Sequence, residues 1–475
     1  MSALDPGGPA AAPKYIENRT YDEISVGDFA SLTRILTPRD IELFAVMSGD
    51  VNPAHVDPDY AETDMFHHVI AHGMWGGALI STVLGTELPG PGTIFLTQSL
   101  AFKAPVALGD ALVVRVEVTR KQHGGRVLLA CTCTNQHGTL VMTGDAAVIA
   151  PRDKIHRPRV VLPEVHLHAR GAKYAALIAA AKGAAPIRTA VAHPCDPLSL
   201  IGALDAARQG VIIPILIGPR AKIEAAAHAG ARSLDGVEII DTPHSHAAAA
   251  AAVALVRAGE AGALMQGSLD MDELMAAADD PAHGLRTERM MSHVCALDVP
   301  SHAKPLLITD AAINARPDLI AKRDIVQNAI DLARALGIAL PKIAILCARE
   351  TVSVRFASTL DAAALCKMAS RGQIVGGLLD GPMAFDTAIS CAAAAANGMA
   401  SDVAGDADIL VAPDLEAADM MVKQLVHLAG ADAAGIVLGA RAPIILIGRA
   451  DSAMSRLASC ALAQLFITRQ GAALP

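Results

Sequence analysis

The chain has 475 residues, 52% of them hydrophobic and 18% charged, which is ample apolar side chain for folded cores and enough length for more than one. With 3% aromatics and a formal charge of -9, neither base stacking nor broad contact with a phosphate backbone is supported, so no nucleic-acid partner is expected. The eight cysteines form no CxxC pair, which disfavours a disulfide framework or a zinc ribbon and suits a reducing, cytoplasmic setting.

Met1–Lys14 is rich in Pro, Gly and Ala and lacks the basic-then-apolar order of a secretory signal. The Ala-rich runs Ala247–Val256 and Ala392–Ala396 are shorter than the roughly 20 apolar residues of a bilayer span, so no membrane partner is expected. Thr37-Pro38-Arg39-Asp40 has the order of a helix start: an N-cap, a proline at the first position and an acid in the first turn. Gly49 can end that helix. A second helix, Gly73–Leu84, carries small residues (Gly76, Gly77, Ala78) that suit burial against neighbouring backbone. Leu112–Arg120, Val127–Asn135 and Leu140–Ala150 then read as antiparallel meander strands around His-Gly-Gly and Gln-His-Gly turns.

Between the two helices lies Asp50-Val51-Asn52-Pro53-Ala54-His55, where a proline-containing turn can aim a carboxylate and an imidazole into one pocket. Two groups sharing one water are what hydration of a double bond requires: Asp50 to orient and deprotonate the water, His55 to take part in delivering a proton to the neighbouring carbon. His72-Gly73-Met74 opens the second helix, where free N–H groups and the dipole's positive end could hold a developing enolate oxygen. Each piece alone is also an ordinary turn or cap.

Their order resembles the MaoC-like, R-specific enoyl-CoA hydratases of the hot-dog fold, over about Ser25 to Ile149 and including Gly92–Pro105. The resemblance implies an α+β hot-dog domain, with Asp50 and His55 as catalytic dyad and Asn52 as turn organiser. It further implies the Gly73 N–H as oxyanion donor and Ser81 as a supporting hydroxyl. His72 and Trp75 are expected to shape the substrate pocket, Trp75 by packing rather than chemistry.

Pro151–Pro163, broken by prolines and basic residues, reads as a linker, giving domains at 1–150 and 167–475 with 151–166 between them. Beyond it, apolar runs at Ile212–Ile217, Ile343–Cys347, Ile409–Val411 and Ile444–Ile447 alternate with helical segments at Pro197–Gln209, Asp318–Leu336, Leu360–Ala369, Glu416–Leu428 and Ser452–Phe466. Such alternation predicts a mostly parallel sheet covered on both faces, and its size predicts two lobes around a cleft. There is no phosphate-cradling Gly-x-x-x-x-Gly-Lys loop and no complete metal shell: His244-x-His246 and Cys131-x-Cys133 read as structural.

Gly448-Arg449-Ala450-Asp451-Ser452 follows an apolar strand and precedes a helix, a position where a guanidinium suits phosphate, although Asp451 or Ser452 would equally cap that helix. With Ile308–Asn314, Asp380-Gly381-Pro382, Val403–Asp408 and Pro413-Asp414-Leu415, this half resembles the phosphate acetyl/butyryltransferases over roughly Arg188 to Ala463. The resemblance implies an α/β, two-lobed phosphate acyltransferase in which inorganic phosphate attacks an acyl-CoA thioester. Arg449 would hold phosphate and Asp451 the thiol proton, with Asp310 or Asp380 as substitutes. Arg286 and Arg289 are candidates for the CoA phosphates or simply solvated charges. Gly448, Ala418-Asp419 and Gln266 depart from the family's usual Ser, Gly-Asn and Lys. The two resemblances together imply a bifunctional enzyme, homo-oligomeric, with acyl-CoA and phosphate as substrates and no further cofactor or metal. The alternatives are a non-catalytic acyl-CoA sensor at the C-terminal half, as similar domains fused to malic enzymes are, and a hot-dog thioesterase at the front.

Overall fold

The computed structural model describes residues 15–162, 165, 167, 171–446, 448 and 451–471. The opening segment 1–14 and Arg449 therefore lie outside the described residues. The chain divides into two compact units, Met1–Leu167 and His168–Pro475.

In the first unit the strands are β1 (Tyr15–Glu17), β2 (Phe29–Ile35), β3 (Ile94–Gln98), β4 (Ala101–Phe102), β5 (Ala111–Gln122), β6 (Arg126–Thr134), β7 (Leu140–Ile149) and β8 (His156–Pro158). The expected meander is there: an antiparallel sheet runs β2-β5-β6-β7-β3, with β4 also on β7. Along β5 and β6 buried and half-buried residues alternate, so Val114, Val116, Leu129 and Cys131 face the core while their neighbours face away. The helix Gly73–Thr86 lies on that inner face with Trp75, Ile80, Val83 and Leu84 buried, which makes this unit a hot-dog fold. Two details differ from the sequence reading. The stretch Gly92–Pro105 forms two short strands, because the register of pairing with β7 breaks at Ser99 and Leu100, between Gln98 and Ala101. Part of the supposed linker is β8, paired with β1.

Close backbone approach fixes that break. A Cβ on Gly144 of β7 would sit 1.9 Å from the carbonyl oxygen of Ser99, so only glycine lets the two segments meet.

The second unit contains β9 (Ile187–Ala192), β10 (Ile212–Gly218), β11 (Glu238–Asp241), β12 (Ala263–Gln266), β13 (Ser292–Asp298), β14 (Leu306–Thr309), β15 (Lys342–Leu346), β16 (Leu378–Met383), β17 (Ile409–Val411), β18 (Asp432–Leu438) and β19 (Ile444–Ile445). They join in one eleven-stranded sheet, ordered β11-β10-β9-β12-β19-β18-β13-β14-β17-β15-β16. The two flanks are parallel, as expected, with near-continuous apolar strands whose crossovers are helices. The centre is not: β19–β18, β18–β13 and β13–β14 pair antiparallel. The two lobes are thus halves of one mixed sheet. The last helix, Ala453–Gly471, buries Ala458, Cys460, Leu462 and Phe466 in the same core as β9 and β10.

Gly144→Ala is expected to cost the first unit about 1–3 kcal/mol, the usual range for overpacking. The single tryptophan, Trp75, is buried there and reports on it: its fluorescence midpoint in urea should fall.

Candidate functional site

In the first unit, Thr37 caps the helix Pro38–Ser48 through a reciprocal box with Asp40, and Gly49, left-handed at φ 74°, turns the chain out of it. The chain then reaches Asp50, exposed, whose Oδ1 accepts from the Asn52 N–H at 3.2 Å. Asn52 caps the short helix Pro53–Val56, accepting from the Ala54 N–H, and so fixes the direction in which His55 leaves it. The His55 Nδ1–H donates to the Ile70 carbonyl at 2.9 Å, which leaves Nε2 as an acceptor. His72, 2% exposed, donates from Nε2 to the Asp50 carbonyl at 3.1 Å and lies against the His55 ring, centroids 4.1 Å apart.

Asp50, His55 and His72 thereby bring a carboxylate oxygen and two ring nitrogens within 4.8 Å of one another. They are the one cluster of metal-type donors among the described residues, although each imidazole has already spent a nitrogen on a backbone carbonyl.

His72 is also the N-cap of the Gly73–Thr86 helix and makes no side-chain cap bond; the Trp75 N–H donates to the His72 carbonyl at 2.9 Å, and the N–H groups of Gly73 and Met74 are left to another acceptor. Beside them opens a cavity of about 320 Å³ lined by His55, Ile70, His72, Gly73, Trp75 and Phe102, among others. Asp50 does not line it. Ser81, on the same helix, is exposed and does not border the cavity either.

In the second unit a cavity of about 980 Å³ opens at the carboxyl ends of β9, β12 and β19, where the strand direction reverses at β18. The carboxyl ends of strands are where open α/β sheets collect ligands. Asp196, Gln266, Gly448, Asp451 and Arg456 are among its lining. Asp451 accepts from the Gly448 N–H at 2.7 Å, and burial pushes its carboxyl up against the opposing pull of that bond and of Arg456. Arg456, 5% exposed, donates to the carbonyls of Asp451 and Gly448 and holds the loop's shape. Sequence reasoning missed this arginine; its signal was a cation in the first turn of an otherwise apolar helix.

The remaining candidates are not brought to this cavity. Asp310 is 3% exposed and its carboxylate accepts from the N–H groups of His293, Ala312, Ile313 and Asn314 and from Asn314 Nδ2, so it organises a turn. Asp380 is on the edge strand β16, far from β19 in the sheet, and accepts from the Gly381 N–H. Arg286 grips Asp279 with two bonds of 2.6 Å, and Arg289 pairs with Asp331 at 2.6 Å, so both guanidiniums are already matched by carboxylates. The two motif pairs set aside as structural have structural partners: His244 caps the helix Ser245–Arg257, and His246 meets Glu273. Burial pushes the thiols of Cys131 and Cys133 to about 11 and about 12.

A family profile described as phosphate acetyl/butaryl transferase matches residues 244–464, and one described as MaoC like domain matches residues 28–136. A phosphate acetyltransferase of Rhizobium meliloti is 58% identical over 305 residues, 64% of this chain and 96% of that protein. The chain belongs to the phosphate acetyltransferases. Its front carries a MaoC-like domain in addition. Among solved structures, a branched-chain phosphotransacylase from Enterococcus faecalis V583 aligns with a TM-score of 0.53 at 26% identity, covering 59% of this chain and 99% of that one. The R-hydratase PhaJ1 from Pseudomonas aeruginosa aligns with a TM-score of 0.32 at 45% identity, covering 32% of this chain and 99% of that one. Among the described residues, no helix is long and apolar enough to cross a membrane.

The raised carboxyl of Asp451 gives a signed expectation. A carboxyl whose pKa is raised on folding contributes stability only while protonated, and loses it as pH climbs from the ordinary value of 3.8 through the raised one. Asp451→Asn should therefore match or exceed the parent's melting temperature at pH 7. The difference should close as pH falls toward 4 in a thermal series.

Proposed function

We propose that the chain is a bifunctional enzyme: an (R)-specific enoyl-CoA hydratase in front of a phosphate acetyltransferase. Membership of the phosphate acetyltransferases carries the second activity. The meeting of Asp50 and His55 at an uncapped helix start, within a MaoC-like domain, supports the first.

For hydration, the thioester carbonyl lies at the Gly73 end of the helix, where backbone N–H groups and the dipole stabilise the enolate oxygen. Asp50 and the Nε2 of His55 hold one water between them. As its oxygen bonds to C3 of the trans-2-enoyl group, the pair takes up its proton and returns a proton to C2, ending in its starting state. The product is a (3R)-hydroxyacyl-CoA. The small cavity, walled by Trp75 and Phe102, favours short acyl groups.

For transfer, a phosphate oxygen attacks the thioester carbonyl carbon, the C–S bond breaks, and CoA leaves as thiolate. Arg449 holds the phosphate, and Asp451, whose burial favours its protonated form, handles the thiol proton. Acyl-CoA and phosphate are the only substrates this chemistry needs, without cofactor or metal. Free cysteines throughout the described residues support a cytoplasmic setting, and the exposed Ile94, Phe95 and Leu96 on the edge strand β3 support self-association.

Two assays on the purified chain test both halves. Acetyl-CoA with phosphate should release thiol, and crotonyl-CoA should lose its conjugated absorbance without releasing thiol. Asp50→Asn should lower hydration about 10²–10⁴-fold, the range for general acid–base groups, and leave transfer intact; Arg449→Ala should do the reverse. Phosphate-independent thiol release from crotonyl-CoA would mark the front half as a thioesterase. No release from acetyl-CoA with phosphate would mark the back half as an acyl-CoA sensor.

A further inference from the structure

The cavity of the first unit has an open end and a closed one. Phe102, 54% exposed, and the exposed Lys103 and Pro105 border it on the solvent side, whereas Leu112 at 0%, Met142 at 2% and Trp75 at 7% border it from within the core. A substrate enters past the first group and ends at the second.

Phe102 of β4 and Met142 of β7 are directly opposite each other in the antiparallel pairing, so their side chains leave the same face of the sheet. Both reach the helix Gly73–Thr86, and each meets it at a glycine. A Cβ on Gly73 would lie 3.0 Å from Phe102 Cε1, and a Cβ on Gly76 would lie 2.8 Å from Met142 Cε. Gly73 and Gly76 are three residues apart, so they share a helix face, and both line the cavity. The two side chains therefore cross from sheet to helix on the cavity side, Phe102 at the helix start and Met142 nearly one turn deeper. Leu112 Cδ2, 3.6 Å from the same Cβ position on Gly76, closes the space beside the methionine.

Three residues of helix rise about 4.5 Å. A four-carbon acyl group extends from its carbonyl carbon by three C–C bonds of about 1.5 Å each. With the thioester carbonyl at the Gly73 N–H, such a group fills the distance to the methionine methyl, and a longer one overruns it. We infer that Met142 sets the acyl-length limit of the hydratase, its terminal methyl on Gly76 being the stop at which the tail of a four-carbon enoyl group ends. The inference rests on the hydratase reading of this cavity. Met142 takes no part in the chemistry; it decides which enoyl-CoA can keep its carbonyl at the helix start while its tail is buried. In an apolar pocket, one methylene that fits or fails changes discrimination about 10–200-fold.

Three substrates read the stop on the full chain: crotonyl-CoA, trans-2-hexenoyl-CoA and trans-2-octenoyl-CoA, each followed by loss of its conjugated absorbance. The parent's kcat/KM should fall at least about tenfold from crotonyl to hexenoyl, and further to octenoyl. Met142→Ala, which removes Cγ, Sδ and Cε, should raise the hexenoyl-to-crotonyl ratio at least about tenfold. The ratio is the decisive quantity, because a variant that is merely less stable loses active protein equally for every substrate. Should Met142→Ala not fold by circular dichroism, Met142→Leu replaces it. That swap nearly conserves volume but ends one atom short of the methyl, and it should raise the same ratio at least about threefold. A parent that hydrates hexenoyl-CoA within about tenfold of crotonyl-CoA overturns the inference, as does a folded variant that falls short of its stated rise. If the unaltered chain hydrates none of the three, the hydratase reading itself fails, an outcome separate from either of these.

Discussion

One hydrogen bond, from the buried His72 Nε2–H to the carbonyl of Asp50, ties the start of the central helix to the loop that carries the acid. The arrangement of the front site follows from it. Asp50 is exposed and on a turn, and an exposed carboxylate on a turn has no fixed direction unless its backbone is anchored. The anchor is also the N-cap residue of the helix whose first N–H groups face the cavity. Acid, imidazole and amide donors thus share a common reference, with the His55 ring set against His72 and bonded to Ile70. Backbone carbonyls take one nitrogen of each imidazole and leave His55 Nε2 outside those bonds.

The second unit solves the same problem with strands. Two parallel flanks would each end in a row of loops, but a ligand needs walls on more than one side. Reversing direction at β18 and β13 brings strand interiors, and not loops alone, to the cavity beside the carboxyl ends of β12 and β19. The loop after β19 is held internally: Arg456 clasps two of its carbonyls and Gly448 donates to Asp451. Rigid strands supply one half of the cavity and a self-bonded loop the other.

Much of this was legible in the sequence because it is local. The capping box of Thr37 and Asp40, the Asn52 turn, the start of the Gly73 helix and the meander strands depend on residues within a few positions of one another, and they form where expected. The surroundings of the far-sited candidates were not legible, for the complementary reason. Asp310, Asp380, Arg286 and Arg289 have the chemistry of ligands, yet their destinations are set by neighbours that the sequence does not place beside them: a ring of N–H donors, an edge strand, and two carboxylates.

The sequence by itself determined many of the two folds' elements, the two families they resemble, and the closeness of Asp50 and His55, since a proline turn constrains both. Only the tertiary structure decided which buried polar atoms remain unspent. His72 Nε2 and Arg456 are committed to carbonyls and Asp310 to amides, whereas Nδ1 of His72 and Nδ1 of His293 have no partner among the described residues. Whether a polar atom is satisfied depends on groups arriving from distant strands, and that information exists only once the sheet has closed around them.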